Sequence, residues 1–295
     1  MGIVLLSLCF SLIQTGHSFA ATQNITLSPT SVDVTLDPGS INKGSVEIIN
    51  TGDSAFAFRT YVTPYHVTGE EYQQEFTPLP GAPDVTKWIT VNSSLSSLVP
   101  GKLTEIPYTI TVPKGTPAGG YYAVLFAETK APPAKNGVIV TDRVGEIFYI
   151  TVSGALTQKG QVASWTTKYF QKPPLSASLR LENSGSTHYL ATVQVRVKDI
   201  FGSSKFTFNT KKQVLPQTIR RIDISWPKTP SFGLFKVAGT ATFLDQTHQL
   251  PTHYVLVMSS TVRLIFIGVV VGLLIVSIVI IYRKKHAKPK FTSRS

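Results

Sequence analysis

The sequence predicts an all-β protein: two tandem immunoglobulin-like β-sandwich domains plus one C-terminal transmembrane α-helix. Three observations predict it. Apolar and polar residues alternate at period two through most of residues 21–260, with Gly/Pro turn chemistry between the runs. Two halves of that region carry the same elements in the same order. Near the end, Leu264 to Tyr282 is an uncharged run of nineteen residues.

Residues 1–20 form a signal peptide. Ile3 to Ile13 is almost wholly apolar, and Ser18-Phe19-Ala20 is a small-x-small cleavage site. The basic n-region of such signals is missing. Export also removes the only thiol, because Cys9 is the single cysteine and leaves with the signal. A disulfide-free exported chain suits a bacterial surface and must be held by core packing.

The first sandwich spans 21–155. In "SVDVTLDPG", Val32, Val34 and Leu36 alternate with polar residues before a Pro-Gly turn. In "LTEIPYTITVP", Thr104, Ile106, Tyr108, Ile110 and Val112 share one face. "SVEIIN", "AFAFRTYVT", "YYAVLFAET" and "GEIFYITVSG" also read as strands, parted by "TGDS", "TGEE", "LVPGK" and "PPAKNG".

The second sandwich spans 156–260, after a composition shift at "SGALTQKG". Asn50-Thr51-Gly52 between two strands returns as Asn183-Ser184-Gly185. "PGKLTEIPYTITVP" returns as "LPQTIRRIDISWP", and "AGGYYAVLFAE" as "SFGLFKVAGTATF". Order kept across three matches implies tandem domains of one ancestry.

The transmembrane helix spans 264–282. Nineteen residues at about 1.5 Å each give roughly 28 Å, close to the ~30 Å hydrocarbon layer. "RKKHAKPK" comes next, so 283–295 is a basic cytoplasmic tail, the domains lie outside, and the chain is a single-pass plasma-membrane protein. Neither a lipoprotein cysteine nor an LPxTG wall signal stands in place.

The net charge of +12 is uneven. Residues 21–155 hold 8 Lys/Arg and 12 Asp/Glu, whereas 156–263 hold 14 and 4. The basic half faces solvent, or sits near anionic lipid or wall polyanions. Export and the lack of a recognition-helix pattern argue against nucleic acid.

"PKGTPAGGYYAVLFAET" invites a phosphate-loop reading and fails it. Such a loop must feed a helix, yet Gly119-Gly120 feed a β-branched, aromatic run, and Lys114 precedes the glycines. The expectation is a sandwich corner: Gly119 or Gly120 with φ > 0, and Tyr121 or Tyr122 buried and bonded to nearby backbone. No metal-ligand spacing links His66, His188, His248 and His253, and no GxSxG elbow or mature thiol occurs. The chain is read as non-enzymatic, with no cofactor.

Tyr65 to Val91 is too long and proline-rich for a simple hairpin. Tyr65, Tyr72 and Trp88 in it are the candidate ligand-contacting aromatics, since ring platforms beside amides and acids stack on sugars or receive peptides. The competing expectation is that Trp88 and Phe76 close the sandwich core.

The block from Asp37 to Tyr65, "DPGS…NKGSVEIINTGDSAFAFRTYVTPY", together with "ITVPKGTPAGGYYAVLFAET" and the domain order, resembles the WxL-interacting protein family of bacterial cell surfaces. The resemblance implies a peptidoglycan-binding first domain and a partner-binding second domain. The expected function is thus a membrane-anchored adhesion or scaffold module, bound to cell-wall glycan (peptidoglycan) or wall-associated surface proteins. The alternative is a chaperone-like assembly module that binds partners by β-strand addition. A glycan-processing enzyme is a third class and needs two facing carboxylates in a cleft.

Overall fold

A computed structural model describes residues 24–91, 96–130 and 141–286. The signal peptide, the "PPAKNG" turn and the tail beyond residue 286 lie outside the described residues.

The first sandwich contains β1 (Ile25–Ser28), β2 (Ser31–Leu36), β3 (Ile41–Asn50), β4 (Phe56–Pro64), β5 (His66–Thr68), β6 (Gln73–Glu75), β7 (Ile89–Val91), β8 (Ser96–Leu98), β9 (Leu103–Thr111), β10 (Gly119–Thr129) and β11 (Arg143–Val152). One sheet runs β1-β3-β9-β7 and the facing sheet β2-β11-β10-β4-β8, while β5 and β6 pair as a separate hairpin. The predicted inward face of β9 is inward: Ile106, Tyr108, Ile110 and Val112 are buried. They meet Phe58, Leu125, Phe148 and Ile150 from the other sheet.

The second sandwich contains β12 (Gly160–Thr166), β13 (Phe170–Gln171), β14 (Leu175–Asn183), β15 (Tyr189–Asp199), β16 (Ser204–Val214), β17 (Thr218–Trp226), β18 (Phe232–Phe243) and β19 (Gln246–Met258). Its sheets run β12-β14-β17 and β13-β19-β18-β15-β16. Leu175, Leu179, Leu181 and Ile224 are fully buried in its core. Each such side chain contributes about 1.5–3 kcal/mol relative to exposure.

The repeat read in the sequence is a repeat in space. β3 pairs antiparallel with β9 as β14 does with β17, and β4 with β10 as β15 does with β18. In each domain an early strand pairs parallel with the last one, β2 with β11 and β13 with β19. The two asparagines do the same work. Asn50 donates to the carbonyls of Ser54 and Leu98, both at 2.9 Å, and accepts from the Gly52 N–H at 3.0 Å. Asn183 donates to the carbonyls of Thr187 (2.9 Å) and Val214 (2.8 Å) and accepts from the Gly185 N–H at 2.9 Å. The buried amide at that turn satisfies three backbone groups, all buried around Asn183 and buried or partly buried around Asn50.

The corner stretch needs a correction. Gly119 and Gly120 do not have positive φ; the left-handed residue is Gly115, φ +76°. Both glycines already lie in β10, opposite Val152 and Thr151. Space is the reason for Gly120: a Cβ there would collide with the Tyr122 hydroxyl. The corner bond itself exists, from the Tyr121 hydroxyl to the Pro117 carbonyl at 2.9 Å, but Tyr121 and Tyr122 are half-buried rather than buried.

After β19, α1 (Ser260–His286) begins. Its mean hydropathy reaches 3.4, and every side chain from Leu264 to Tyr282 is exposed. It is long and apolar enough to cross a membrane, and it is not a core helix of either sandwich.

Candidate functional site: an interdomain clamp beside an open sheet edge

The long segment after β4 folds as a hairpin because Gly69 (φ +62°) and Tyr72 (φ +60°) turn the chain between β5 and β6. Its tip, Glu70 to Tyr72, reaches the second sandwich. The Glu70 carbonyl accepts from the Arg221 N–H at 2.7 Å. Its carboxylate holds the Arg180 guanidinium by two bonds, Nε to Oε2 at 2.7 Å and Nη2 to Oε1. That bonding keeps the Glu70 carboxyl below its ordinary range. Arg221 also bridges Glu71 at 2.5 Å and Asp223 at 3.1 Å.

Tyr72 is the centre of this contact. Thr218 Oγ1 donates to the Leu215 carbonyl at 2.7 Å, so the Tyr72 hydroxyl donates to Thr218 Oγ1 at 2.5 Å. The same hydroxyl accepts from the Leu215 N–H at 3.0 Å. Arg220 lies over the ring, 4.2 Å from its centroid, and donates to the Gln213 carbonyl at 2.6 Å. Burial lowers the Arg220 pKa and raises that of Tyr72.

A second contact lies on β10. The Tyr122 hydroxyl accepts from the His188 N–H at 3.1 Å and lies 3.2 Å from His188 Nδ1. His188 Nε2 meets Asp33 Oδ2 at 3.1 Å, and Gln213 donates to the same oxygen at 3.2 Å. The His188 bond lowers the Asp33 pKa against the opposing effect of burial. Nearby, the Gly120 N–H donates to the Ser186 carbonyl at 2.9 Å, and Thr151 and Thr187 share a hydroxyl bond at 3.0 Å. The connection between the domains is tied as well: Ser186 N donates to Thr157 O, and Ser184 N to Lys159 O, each at 2.9 Å.

The three aromatics nominated from sequence are placed inside, not on a platform. Tyr65 and Tyr72 are each 7% exposed and Trp88 6%. Tyr65 packs edge-on to Tyr149 beneath the hairpin, and Trp88 lies against Tyr121 at 4.7 Å, closing the first core. Phe76 covers Phe126 on the outer face. A ring loses more water-exposed apolar area by packing here than by standing free, so each finds protein instead. Sequence reasoning missed His188, Asp33, Arg180, Arg220 and Arg221. Their signal was the charge contrast between the halves, since acids from the first domain meet arginines from the second.

Beside the clamp, β11 is only half covered. The chain crosses from the facing sheet, where it is β1, and as β2 pairs only with Ile147 to Val152. Arg143 to Glu146 have no strand partner on that side among the described residues. On the outer face, the Arg143 guanidinium lies 4.2 Å from the Phe126 ring centroid. Nearby, Glu128 accepts from Tyr61 and pairs with Arg59 at 3.1 Å. On the inner face, Glu146 is fully buried, and neither carboxylate oxygen has a hydrogen-bond partner among the described residues. Burial pushes its pKa up to about 7.

No family model matches the chain, and no curated protein matches it. Among solved structures, the class 5 fimbriae chaperone CfaA aligns with 79% of this chain and 99% of its own, at 11% identity and a TM-score of 0.41. The YadV chaperone aligns with 77% and 99% at 14% identity, TM-score 0.41, and the E. coli chaperone DraB with 79% and 97% at 12%, TM-score 0.39.

Proposed function

We propose that the chain is a membrane-anchored, non-catalytic binding module that takes a protein partner by β-strand addition along Arg143 to Glu146. The open half of β11 carries this proposal. Unpaired N–H and C=O groups at a sheet edge template an incoming strand. Two of the other edges discourage pairing: β16 bears Lys205, Lys211 and Lys212, and β17 bears Arg220 and Arg221. A rigid two-domain frame favours such docking, because little ordering entropy is lost on binding.

Glycan binding by ring stacking has less support, since Tyr65, Tyr72 and Trp88 are buried. The resemblance to the WxL-interacting family, taken as a proposal, makes the partner a wall-associated surface protein. In that arrangement α1 spans the plasma membrane, with Arg283, Lys284 and Lys285 on the cytoplasmic side.

The test places a photo-crosslinking residue at Arg143 in the full chain in its native membrane, with Lys102, exposed ahead of β9, as the control. Adducts at 143 should map to one extended, alternating segment of a surface protein. Binding of that segment should slow amide exchange at Gly145, whose N–H points to the open side as that of Ile147 points to Thr30. Adducts to glycan, or equal labelling at 102, would sink strand addition.

A further inference from the structure

The second sandwich ends where α1 begins, with one residue between them. Met258 closes β19, Ser259 comes next, and α1 starts at Ser260. Ser259 is itself held: its N–H donates to the Ser231 carbonyl at 2.7 Å, and its carbonyl accepts from the Arg263 N–H at 3.0 Å. A helix that spans a bilayer from this point leaves the sandwich end no slack to stand away from the lipid.

The registers define which residues share that end. Phe232 lies opposite Met258, and Leu234 opposite Leu256. Phe170 pairs with Leu256 from the other side, and the Tyr169 carbonyl accepts from the Leu256 N–H. Asp199 lies opposite Phe235, so the turn after it, Ile200 to Ser203, projects beyond β15 toward the level of Phe232. The large side chains here are turned outward. Phe201 is 88% exposed, Tyr169 64%, Phe232 58% and Ile200 48%. Asp199 fixes the tip by accepting from the N–H groups of Phe201 and Ser203, both at 2.9 Å, so Phe201 is held out by a built turn.

Cations flank these side chains. Lys168 and Lys172 bracket Tyr169 and Phe170, Lys228 sits in the turn before Phe232, and Arg263 lies in the first turn of α1. All four are exposed or half-exposed, and none forms an ion pair among the described residues. The acid at this end, Asp199, is already paired with Lys205 at 3.0 Å. Aromatic and aliphatic tips ringed by free cations match the interface of an anionic bilayer, where rings settle at headgroup depth and each cation adds electrostatic attraction.

We propose that the helix-side end of the second sandwich seats in the anionic bilayer that α1 spans. Phe201, Phe232, Ile200 and Tyr169 enter the headgroup boundary, while Lys168, Lys172, Lys228 and Arg263 lie against lipid phosphates. This rests on α1 being a span. It also assigns part of the excess basic charge of the second domain, of which Arg180, Arg220 and Arg221 serve the clamp instead.

The experiment uses the full chain with Cys9→Ser, reconstituted in vesicles of phosphatidylcholine alone or with phosphatidylglycerol. Single cysteines at Ile200, Lys102 or Ile275 carry a fluorophore, and nitroxide lipids at known depths act as quenchers. Ile275 should be quenched by bilayer-centre nitroxides, and its failure to quench would remove the span, a separate outcome. With Ile275 quenched, Ile200 should be quenched by shallow nitroxides at least about twofold more than Lys102, and more again with phosphatidylglycerol. Phe201→Ser with Phe232→Ser should abolish that excess while Ile275 quenching persists. Quenching at Ile200 equal to that at Lys102, with Ile275 quenched, overturns the seat. Indifference to phosphatidylglycerol overturns the lipid-phosphate contacts.

Discussion

Glu146 is a carboxyl group placed where only its protonated form is at ease. Period-two alternation along β11 puts it on the inward face with Val144, Phe148 and Ile150, so its inward direction was legible in the sequence. Its lack of a partner was not, because that depends on what the facing sheet brings to the same spot. Since burial raises its pKa to about 7, its contribution to stability is fully present below the unfolded value and is lost as pH rises through 7. About 3 kcal/mol should disappear between roughly pH 4 and pH 8. Urea denaturation of the full chain in detergent should show a smaller loss over that window in Glu146→Gln than in the wild type. Equal slopes would mean the carboxylate finds a partner in solution. Tyr108 on β9 feels the same group: burial first, then the Glu146 charge, pushes its phenol up to about 12. Gly120 shows the limit of residue-level reading. Glycine before a strand suggested a φ requirement, whereas the space is taken by Tyr122, whose hydroxyl meets His188 sixty-six positions away.

The β5–β6 hairpin is the element that makes one body of two domains. Its turn was legible, since Gly69 and the acids after it interrupt the alternation, but its destination was not. The residues that receive Tyr72, Leu215 and Thr218, lie over a hundred positions downstream, and no local pattern joins them. Long proline-rich loops often carry ligands, and that general tendency favoured a binding platform here. Burial of Tyr65 and Tyr72 shows the loop spent on the chain's own second domain. Tyr72→Phe keeps the ring under Arg220 but strands the buried Leu215 N–H. A loss of about 1–3 kcal/mol is expected by urea denaturation, as for an unsatisfied buried donor. A change below about 0.5 kcal/mol would show that the hydroxyl does not hold the clamp.

At the scale of the whole molecule, the repeat was the most legible property and the relation between repeats the least. Asn50 and Asn183 make the same three bonds in their separate domains, so a short echo in sequence preserved an entire turn. The contacts between domains break the symmetry, with Glu70 and Glu71 on one side and Arg180 and Arg221 on the other. Composition registered this as opposite charge in the two halves without showing that the charges touch.

The single residue between β19 and α1 also turns the helix into an axle. A tether of flexible chain would let the open edge of β11 face any side of α1; Ser259 holds it to one. Each residue inserted between Ser259 and Ser260 should rotate the domains by about 100° while lifting them only about 1.5 Å. For a partner whose own span packs against α1, capture should therefore fall with one or two inserted residues and recover near four, as crosslinking yield from position 143 would show. A steady decline with insert length would mean that height, not azimuth, governs the encounter.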